Sequence, residues 1–501
     1  SARPSRAIRA YRSRCAVDKL LGFSPDVDPT TPGVMLDVAN LVPDESGMKG
    51  APRPVNATGA PVLAAPCIGA AVITKLDDTR RIFAGTTGKL YELSAGAWVD
   101  VSGAAYAGGA DTRWSFAQSG DSTLAANFAD PIQRSAGSGA FASIAGAPKA
   151  KVIFTVQGFV MALHTDDAGF GNNPDRWWCS AAFNDADWTP STTTQATTGR
   201  LVSAPGRLTA GGKLGDYAVA YKERAIYLGQ YIGAPAVWDW QEVPGGEAGC
   251  VGQEAWCDIG GAHFVVGIDN FWLFDGARPT KIGNGVVRDW FYANSNPQAR
   301  ERIRCAYDKQ AGLVWVFFPS LNSQAPDRAL VYHTTTQKWG LVDLVTEAVL
   351  NYVGAGLTIE GMSSVSPDFE GLAGYSFDSS FWVSGGRSLA IFSGGHQLQT
   401  LTGESDSCGY TSGDYGDDDR YSLLSGVRVR FAPGERPGSG LMATQFKSDA
   451  GDALSAGGVS TMSDGRFDVL ASARWHRLTF SFYGRATVFG HALKLTPEGS
   501  E

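Results

Sequence analysis

The chain lacks most of what marks a membrane protein or an enzyme with a textual signature. Charged residues are only 18% of it. No apolar run approaches the roughly 20 residues that span a bilayer as a helix. The beginning of the sequence has no apolar stretch of the kind found in a signal peptide. Long helical patterns are nearly absent, and the best short candidate is the run Ser5 to Arg12. These deficits argue against helical bundles and helical membrane proteins.

Paired metal or redox motifs are missing too. The seven cysteines (Cys15, Cys67, Cys179, Cys250, Cys257, Cys305 and Cys408) are odd in number, scattered, and form no CxxC pair. That pattern reads as reduced thiols in a protein assembled in a cytosol; the alternative is a disulfide-bonded secreted protein with one thiol left over. The six histidines, His164, His263, His333, His396, His476 and His491, show no HxxxH or HExxH spacing. His164 and His263 lie in or beside apolar strands, where a hydrogen-bonded structural role is expected. There is no GxSxG elbow and no GxxxxGK[ST] loop, so neither a hydrolase nor a nucleotide-binding loop is indicated. The sequence therefore predicts no catalytic residue, no metal ligand and no cofactor.

Carboxylates give little more. The acidic run Asp414, Asp417, Asp418, Asp419 lacks the spaced ligands of a Ca²⁺ loop and reads as a solvated turn. Asp216, Asp269 and Asp275 lie next to turns, where aspartate commonly bonds the local backbone. A propeller glycosidase would need two carboxylates facing a central pocket, and the repeated aspartate turns of sialidase-like propellers are absent.

Glycine and tryptophan, by contrast, are abundant, at 62 and 14 residues. They punctuate a recurring unit: a β-branched or aromatic run, a tight Gly/Asp/Asn turn, then a second run ending on an aromatic residue. Residues 81–93, 217–229, 263–276 and 304–318 are examples. Each reads as a hairpin with one buried face. Such units cover 68–101, 112–145, 151–190, 206–243, 252–283 and 302–345, with a weaker seventh at 370–395 containing Trp382. Their starts are roughly 40 to 60 residues apart, as for four-stranded propeller blades with variable loops. A lone four-stranded sheet cannot bury both faces, whereas sheets set radially cover one another and leave no long free edge. The expected fold is all-β: a β-propeller of six or seven blades over 66–400, with Trp98, Trp114, Trp238, Trp272, Trp315 and Trp339 in its core. No blade carries the paired signature of WD40 repeats.

The flanks differ in texture. Residues 1–65 are expected to supply an arm and a platform segment, with one strand and then a turn within 32–50. A polar, acidic, Gly-rich stretch from about 401 is expected to be a loop. Strands are then expected at 424–431, 441–447, 474–482 and 492–496, making a small antiparallel β domain over 401–501. Arg3, Arg6, Arg9, Arg12 and Arg14 crowd the first fifteen residues, although net charge is −8. They read either as a disordered basic tail or as an arm that orders on an acidic partner. An acidic chain is poorly suited to gripping nucleic acid, but well suited to a surface past which DNA slides.

Residues 214–243, 267–283, 287–292, 306–319 and 330–340, with AspValAlaAsnLeuValProAspGluSerGly at 37–47, resemble the tail-nozzle, or DNA-stabilisation hub, proteins of short-tailed bacteriophages. The likeness is densest over about 205–345 and does not reach the last hundred residues. It implies a non-enzymatic virion protein of the tail, assembled in the host cytoplasm. The implied assembly is a homo-oligomeric ring of six copies below the portal and adaptor rings. That ring would close the DNA channel until ejection and then pass double-stranded DNA without reading its sequence. Implied partners are the adaptor ring, which the five arginines would touch, and tail fibre or plug proteins; no membrane is implied. Two other readings follow from the fold: a carbohydrate-binding, receptor-binding propeller using Trp177, Trp178, Trp238 and Trp240 as stacking platforms, and a propeller glycosidase using a carboxylate such as Asp269.

Overall fold

The computed structural model describes residues 17–245, 247–353, 387–449 and 451–500. The five N-terminal arginines, the helix candidate, Cys15 and Trp382 lie outside them. The described chain forms two compact units, one of residues 52–334 and 343–403, the other of 1–51, 335–342 and 404–501.

The larger unit is a β-propeller of antiparallel sheets joined in sequence order. Blade 1 comprises Gly69–Thr74, Arg80–Gly85, Leu90–Ser94 and Ala97–Asp100. Blade 2 comprises Ser115–Ser119, Ser122–Ala126, Gln133–Ala136 and Ala142–Ser143. Blade 3 runs from Lys149–Val156 through Phe159–Asp167 and Gly171–Cys179 to Thr197–Arg200. Blade 4 has Leu208–Leu214, Tyr217–Lys222, Ile226–Gly233 and Val237–Glu242. Blade 5 has Trp256–Asp258, His263–Val266, Phe271–Phe274 and Thr280–Ile282. Within this unit blade 6 contributes Arg304–Asp308, Leu313–Phe318 and Arg328–His333.

Blade 7 corrects the sequence reading. It is built from Ala348–Val353, Arg387–Phe392 and Leu398–Gly403, and its fourth strand is Arg53–Asn56 from the N-terminal side of blade 1. The ring thus closes by a strand borrowed across more than 340 residues, Gln399 pairing with Asn56 and Thr400 with Val55. The expected boundary at 65 lies inside the propeller because a single four-residue strand carries no pattern of its own. Apart from blades 4 and 5, the first strands of successive blades lie side by side, and that of blade 7 neighbours that of blade 1. Blades 4 and 5 meet where Trp256 lies over Gly212.

Tight turns explain why these hairpins form locally. Blade 3 turns on Gln157 and Gly158, both in the left-handed region (φ 51° and 79°), the geometry whose twist matches that of its strands. Between blades the wedge fills with large apolar side chains. Phe83, Leu90, Trp114 and Phe141 join blades 1 and 2. Met161, Leu163, Trp177, Tyr227 and Trp238 join blades 3 and 4.

The high glycine and tryptophan counts are one fact, not two. A Cβ on Gly85 would come within 2.2 Å of the Trp114 ring, on Gly212 within 2.0 Å of Trp256, and on Gly229 within 2.9 Å of Trp240. Indoles lie flat on strands where the side chain is missing. Among the expected core aromatics, Trp114, Trp238, Trp272 and Trp315 are buried. Trp98 is half-buried, packs on Phe392 at 5.8 Å, and donates from Nε1 to the Pro61 carbonyl at 2.8 Å. Trp339 is buried but groups with the smaller unit, where its carbonyl accepts from Phe23 N–H at 2.8 Å. Proximity in sequence to blade 6 made it look like a blade residue; an aromatic alone does not say which core it fills. The seven-residue helix Arg288–Asn294 links blades 5 and 6, with Phe291 packed between Phe271 (4.8 Å) and Phe318 (4.9 Å).

The smaller unit holds a five-stranded antiparallel sheet in the order Met35–Ala39, Ser407–Gly416, Trp475–Tyr483, Ser439–Lys447, Ser455–Thr461. Against it pack Arg420–Phe431 and Thr487–Ser500, paired along most of their length. Tyr410 and Phe480 of the sheet meet His491 of the second group and Phe467 of the short strand Arg466–Phe467 paired to it, with ring centres 5.5–5.9 Å apart. The expected loop after 401 is instead the strands Leu398–Gly403 and Ser407–Gly416. Its glycines mark close approach: a Cβ on Gly409 would lie 2.4 Å from the Phe480 carbonyl, and one on Gly413 2.2 Å from that of Pro29. Composition resembled a linker because the strand is crowded on both sides.

Candidate functional site

Each blade junction of the propeller carries a polar tie as well as apolar packing. Between blades 1 and 2, the buried Arg81 forks onto Glu92 (2.7 and 2.8 Å) and donates to Ser135 Oγ and the Gly139 carbonyl. Between blades 2 and 3, Arg134 meets Asp185 at 3.0 Å. Between blades 3 and 4, the His164 Nδ1–H donates to the Leu208 carbonyl at 3.2 Å, and the fully buried Lys222 Nζ donates to the carbonyls of Leu201 and Ala204. Between blades 4 and 5, His263 Nε2–H donates to the Lys213 carbonyl (3.0 Å), which leaves Nδ1 to accept from Tyr221 Oη (2.7 Å). Arg304 ties blades 5, 6 and 7 through Glu254 (2.8 Å) and the Thr346 carbonyl. Glu347 of blade 7 accepts from the Cys67 N–H (3.0 Å) ahead of blade 1 and lies 2.7 Å from His396 Nδ1.

Several of these groups converge on one mouth of the central channel, where the first strands begin. Arg113 (blade 2), Lys151 (blade 3), Arg207 (blade 4), Glu254 (blade 5) and Arg304 (blade 6) all lie just before or near the start of a first strand. The 3₁₀ turn Arg300–Arg302 leads into blade 6 and reaches over this mouth. Glu301 pairs with Lys151 (3.7 Å) and Arg207, while Arg302 pairs with Asp111 (2.7 Å). Blades 2, 3 and 4 are two or three places away from blade 6 around the ring, so these ion pairs cross the channel.

The first strands of blades 1, 5, 6 and 7, with the turns that follow them, line an open cavity of about 830 Å³. Asp78, Asp258 and Asp308 face Arg80, Lys309 and Arg387 around it. These are turn residues: Asp308 accepts from Gln310 N–H (3.0 Å), and Asp258 from Gly260 N–H (2.8 Å). The balanced charges would suit a polar ligand, and among the described residues no nucleophile–base pair lines the cavity.

The chemistry-bearing side chains singled out in the sequence are spent on structure. Burial lowers the pKa of His164 and of His491 to about 4, and also that of His263. Cys67, Cys179, Cys250 and Cys408 are free thiols pushed up to about 12 by burial, so none is a ready thiolate. No cluster of three or more His, Cys, Asp or Glu among the described residues could hold a metal ion.

Asp275 caps its own turn through the N–H groups of Ala277 and Arg278, which hold its carboxyl below the usual range. Asp216 sits in the exposed turn of the blade 4 hairpin, and the backbone carbonyl of Asp269 accepts from Arg288 Nε (2.8 Å). Trp177, Trp178 and Trp238 are buried between blades, and the half-buried Trp240 packs on Trp177 at 5.6 Å. Three of the four sugar-stacking candidates thus present no free face.

Of the acidic run, Asp417, Asp418 and Asp419 lie in an exposed turn as expected, but Asp414 does not. It lies buried in the strand Ser407–Gly416, with Arg477 forking onto it (2.7 and 3.0 Å) and Lys447 Nζ at 2.9 Å. Burial pushes its pKa up, but the two cations outweigh that and hold it below the ordinary carboxylate value. The cations sit on strands 33 and 63 residues away, so no local pattern could announce the cluster.

No family model and no curated protein matches this chain. Among solved structures it is similar to YCF48 bound to a D1 peptide, at 13% identity and TM-score 0.34, covering 60% of this chain and 90% of that one. It is also similar to human WBSCR16, at 9% identity and TM-score 0.35, covering 57% and 85%.

Proposed function

We propose that this chain is a structural, non-catalytic subunit of a short-tailed phage tail: a nozzle protein that assembles as a homo-oligomeric ring under the adaptor. The observation that carries this reading is where the family-like segments fall. Residues 214–243, 267–283 and 306–319 form most of blades 4 and 5 and the hairpin that opens blade 6. Two polar side chains of the first segment, Tyr221 and Lys222, tie blade to blade: Tyr221 bonds His263 of blade 5, and Lys222 donates to carbonyls at the end of blade 3. A wall under internal pressure needs such rigidity, and an acidic net charge of −8 favours passage of DNA over retention. Ion pairs across the propeller's own channel make it a poor path for a duplex. DNA would therefore pass at the centre of a ring of copies. Localisation to the virion tail, contact of the N-terminal arginines with the adaptor, and a ring of six belong to the same proposal.

Electron microscopy and mass photometry of the purified full chain, alone and with the adaptor of its phage, test it. Rings of uniform subunit number are expected. A chain that stays monomeric at high concentration and with the adaptor, or that turns over glycosides, would end the proposal.

A further inference from the structure

At the bridged mouth, cations and carboxylates are unevenly shared. Arg302 and Asp111 pair with each other, as do Arg304 and Glu254. Lys151 and Arg207 converge on the one carboxylate of Glu301, and Arg207 reaches Glu223 only at 3.8 Å. Arg113 has no ion pair among the described residues. Its Nη1 donates to the Ala110 and Thr112 carbonyls (3.2 and 2.7 Å), leaving Nε and Nη2 without a protein partner. Burial and the nearby Arg304 lower its pKa to about 10, a sign of a cation short of compensation. Burial likewise lowers that of Lys151 despite Glu301. Glu301, by contrast, is half in water, with 52% of its side chain exposed, at the middle of a three-residue turn. An exposed pair of that kind is cheap to break.

We propose that Arg113, Lys151 and Arg207, from three consecutive blades, form an anion-binding site, that Glu301 occupies its Lys151 and Arg207 in the free chain, and that a small tetrahedral oxyanion such as phosphate binds there when Glu301 withdraws. Two guanidinium groups and an ammonium from separate blades suit the several oxygens of such an ion better than the two of a carboxylate. The exposed carboxylates of Asp111 and Glu301 beside these cations would repel the backbone of a duplex. This inference does not depend on the tail-nozzle reading.

Isothermal titration of the full chain with sodium phosphate at constant ionic strength, against sodium chloride, is the test. Glu301→Gln should bind phosphate saturably and at least about tenfold more tightly than the unaltered chain, since the resident carboxylate no longer competes. Adding Arg113→Gln should abolish that binding. Equal or weaker binding by Glu301→Gln, binding indifferent to Arg113→Gln, or a matching response to chloride would overturn the site. If Glu301→Gln does not fold, phosphorus NMR of the unaltered chain decides. Phosphate line-broadening that Arg113→Gln removes supports the site, and none at millimolar phosphate overturns it. A short DNA duplex that binds more tightly than free phosphate would also overturn it, by showing a nucleic-acid contact instead.

Discussion

In the propeller, strand partners are a turn apart in sequence; Leu214 pairs with Tyr217 and Val156 with Phe159. In the smaller unit Asp18 pairs with His491 and Met35 with Ser412. The first architecture repeats a local hairpin and asks long-range contacts to set blades side by side and, in blade 7, to supply the closing strand. The second depends on long-range pairing for its sheets to exist. Their buried polar groups follow suit. Propeller ties such as Lys222 and His263 end largely on backbone carbonyls, which are always present whatever the side chain. The smaller unit concentrates charge in one cluster, Asp414 with Arg477 and Lys447, and suspends His491 between Tyr410 and Tyr415. A fold assembled from distant strands gains register from such clusters, because each is satisfied in one alignment only.

The sharpest way to break that contrast is to remove the charge at the centre of the cluster. Asp414→Ala leaves Arg477 and the buried Lys447 facing each other, and should destabilise the smaller unit by about 3–5 kcal/mol. Hydrogen exchange should quicken across the strand Ser407–Gly416 while the propeller strands stay protected. Uniform loss of protection in both units would mean that they do not unfold independently. Because Asp414 titrates below its unfolded value, its contribution is present above about pH 4 and lost as pH falls through the folded value.

Acid should next reveal the buried imidazoles. His491 and His164 hold folded values of about 4 against about 6.5 unfolded, so the unfolded chain binds more protons between those limits. Stability is full above about pH 6.5 and falls as pH drops toward 4, by on the order of 3 kcal/mol for each residue. Denaturant unfolding from pH 7 to 4.5 should show this slope, and His491→Gln should flatten it for the smaller unit only. An unchanged slope would remove His491 as its cause.

The smallest effect expected is steric. Gly212→Ala puts a methyl group 2.0 Å from the Trp256 ring, and the ring must shift at the cost of about 1–3 kcal/mol. Altered indole fluorescence and a lowered unfolding midpoint, without change in the smaller unit, would show that these glycines serve the aromatic packing of the blades. Full tolerance of alanine would show that the wedge has slack.

Hairpin patterning made six blades readable, because a strand, a Gly/Asp turn and an aromatic strand together occupy a short window. The closing strand Arg53–Asn56 was not readable, being four residues with neither alternation nor aromatics. The long strand Ser407–Gly416 was hidden for the opposite reason: its glycines and acids look like a linker until the neighbours that crowd them are known. Of the candidate site, residue types were visible but not their meeting. Nothing near Glu301 in the sequence points to Lys151 or Arg207, which lie 150 and 94 residues away.

The sequence by itself determined the local chemistry: repeated two-strand units, turns with left-handed glycines, and enough indole to fill wide wedges between sheets. Those features act over a few residues, where backbone sterics and side-chain alternation decide the outcome. Tertiary structure alone decided which strand closes the ring, which core Trp339 enters, and which charges meet across the channel. Those choices depend on contacts between groups far apart along the chain, and a charge or an aromatic ring carries no mark of the distant partner that will satisfy it.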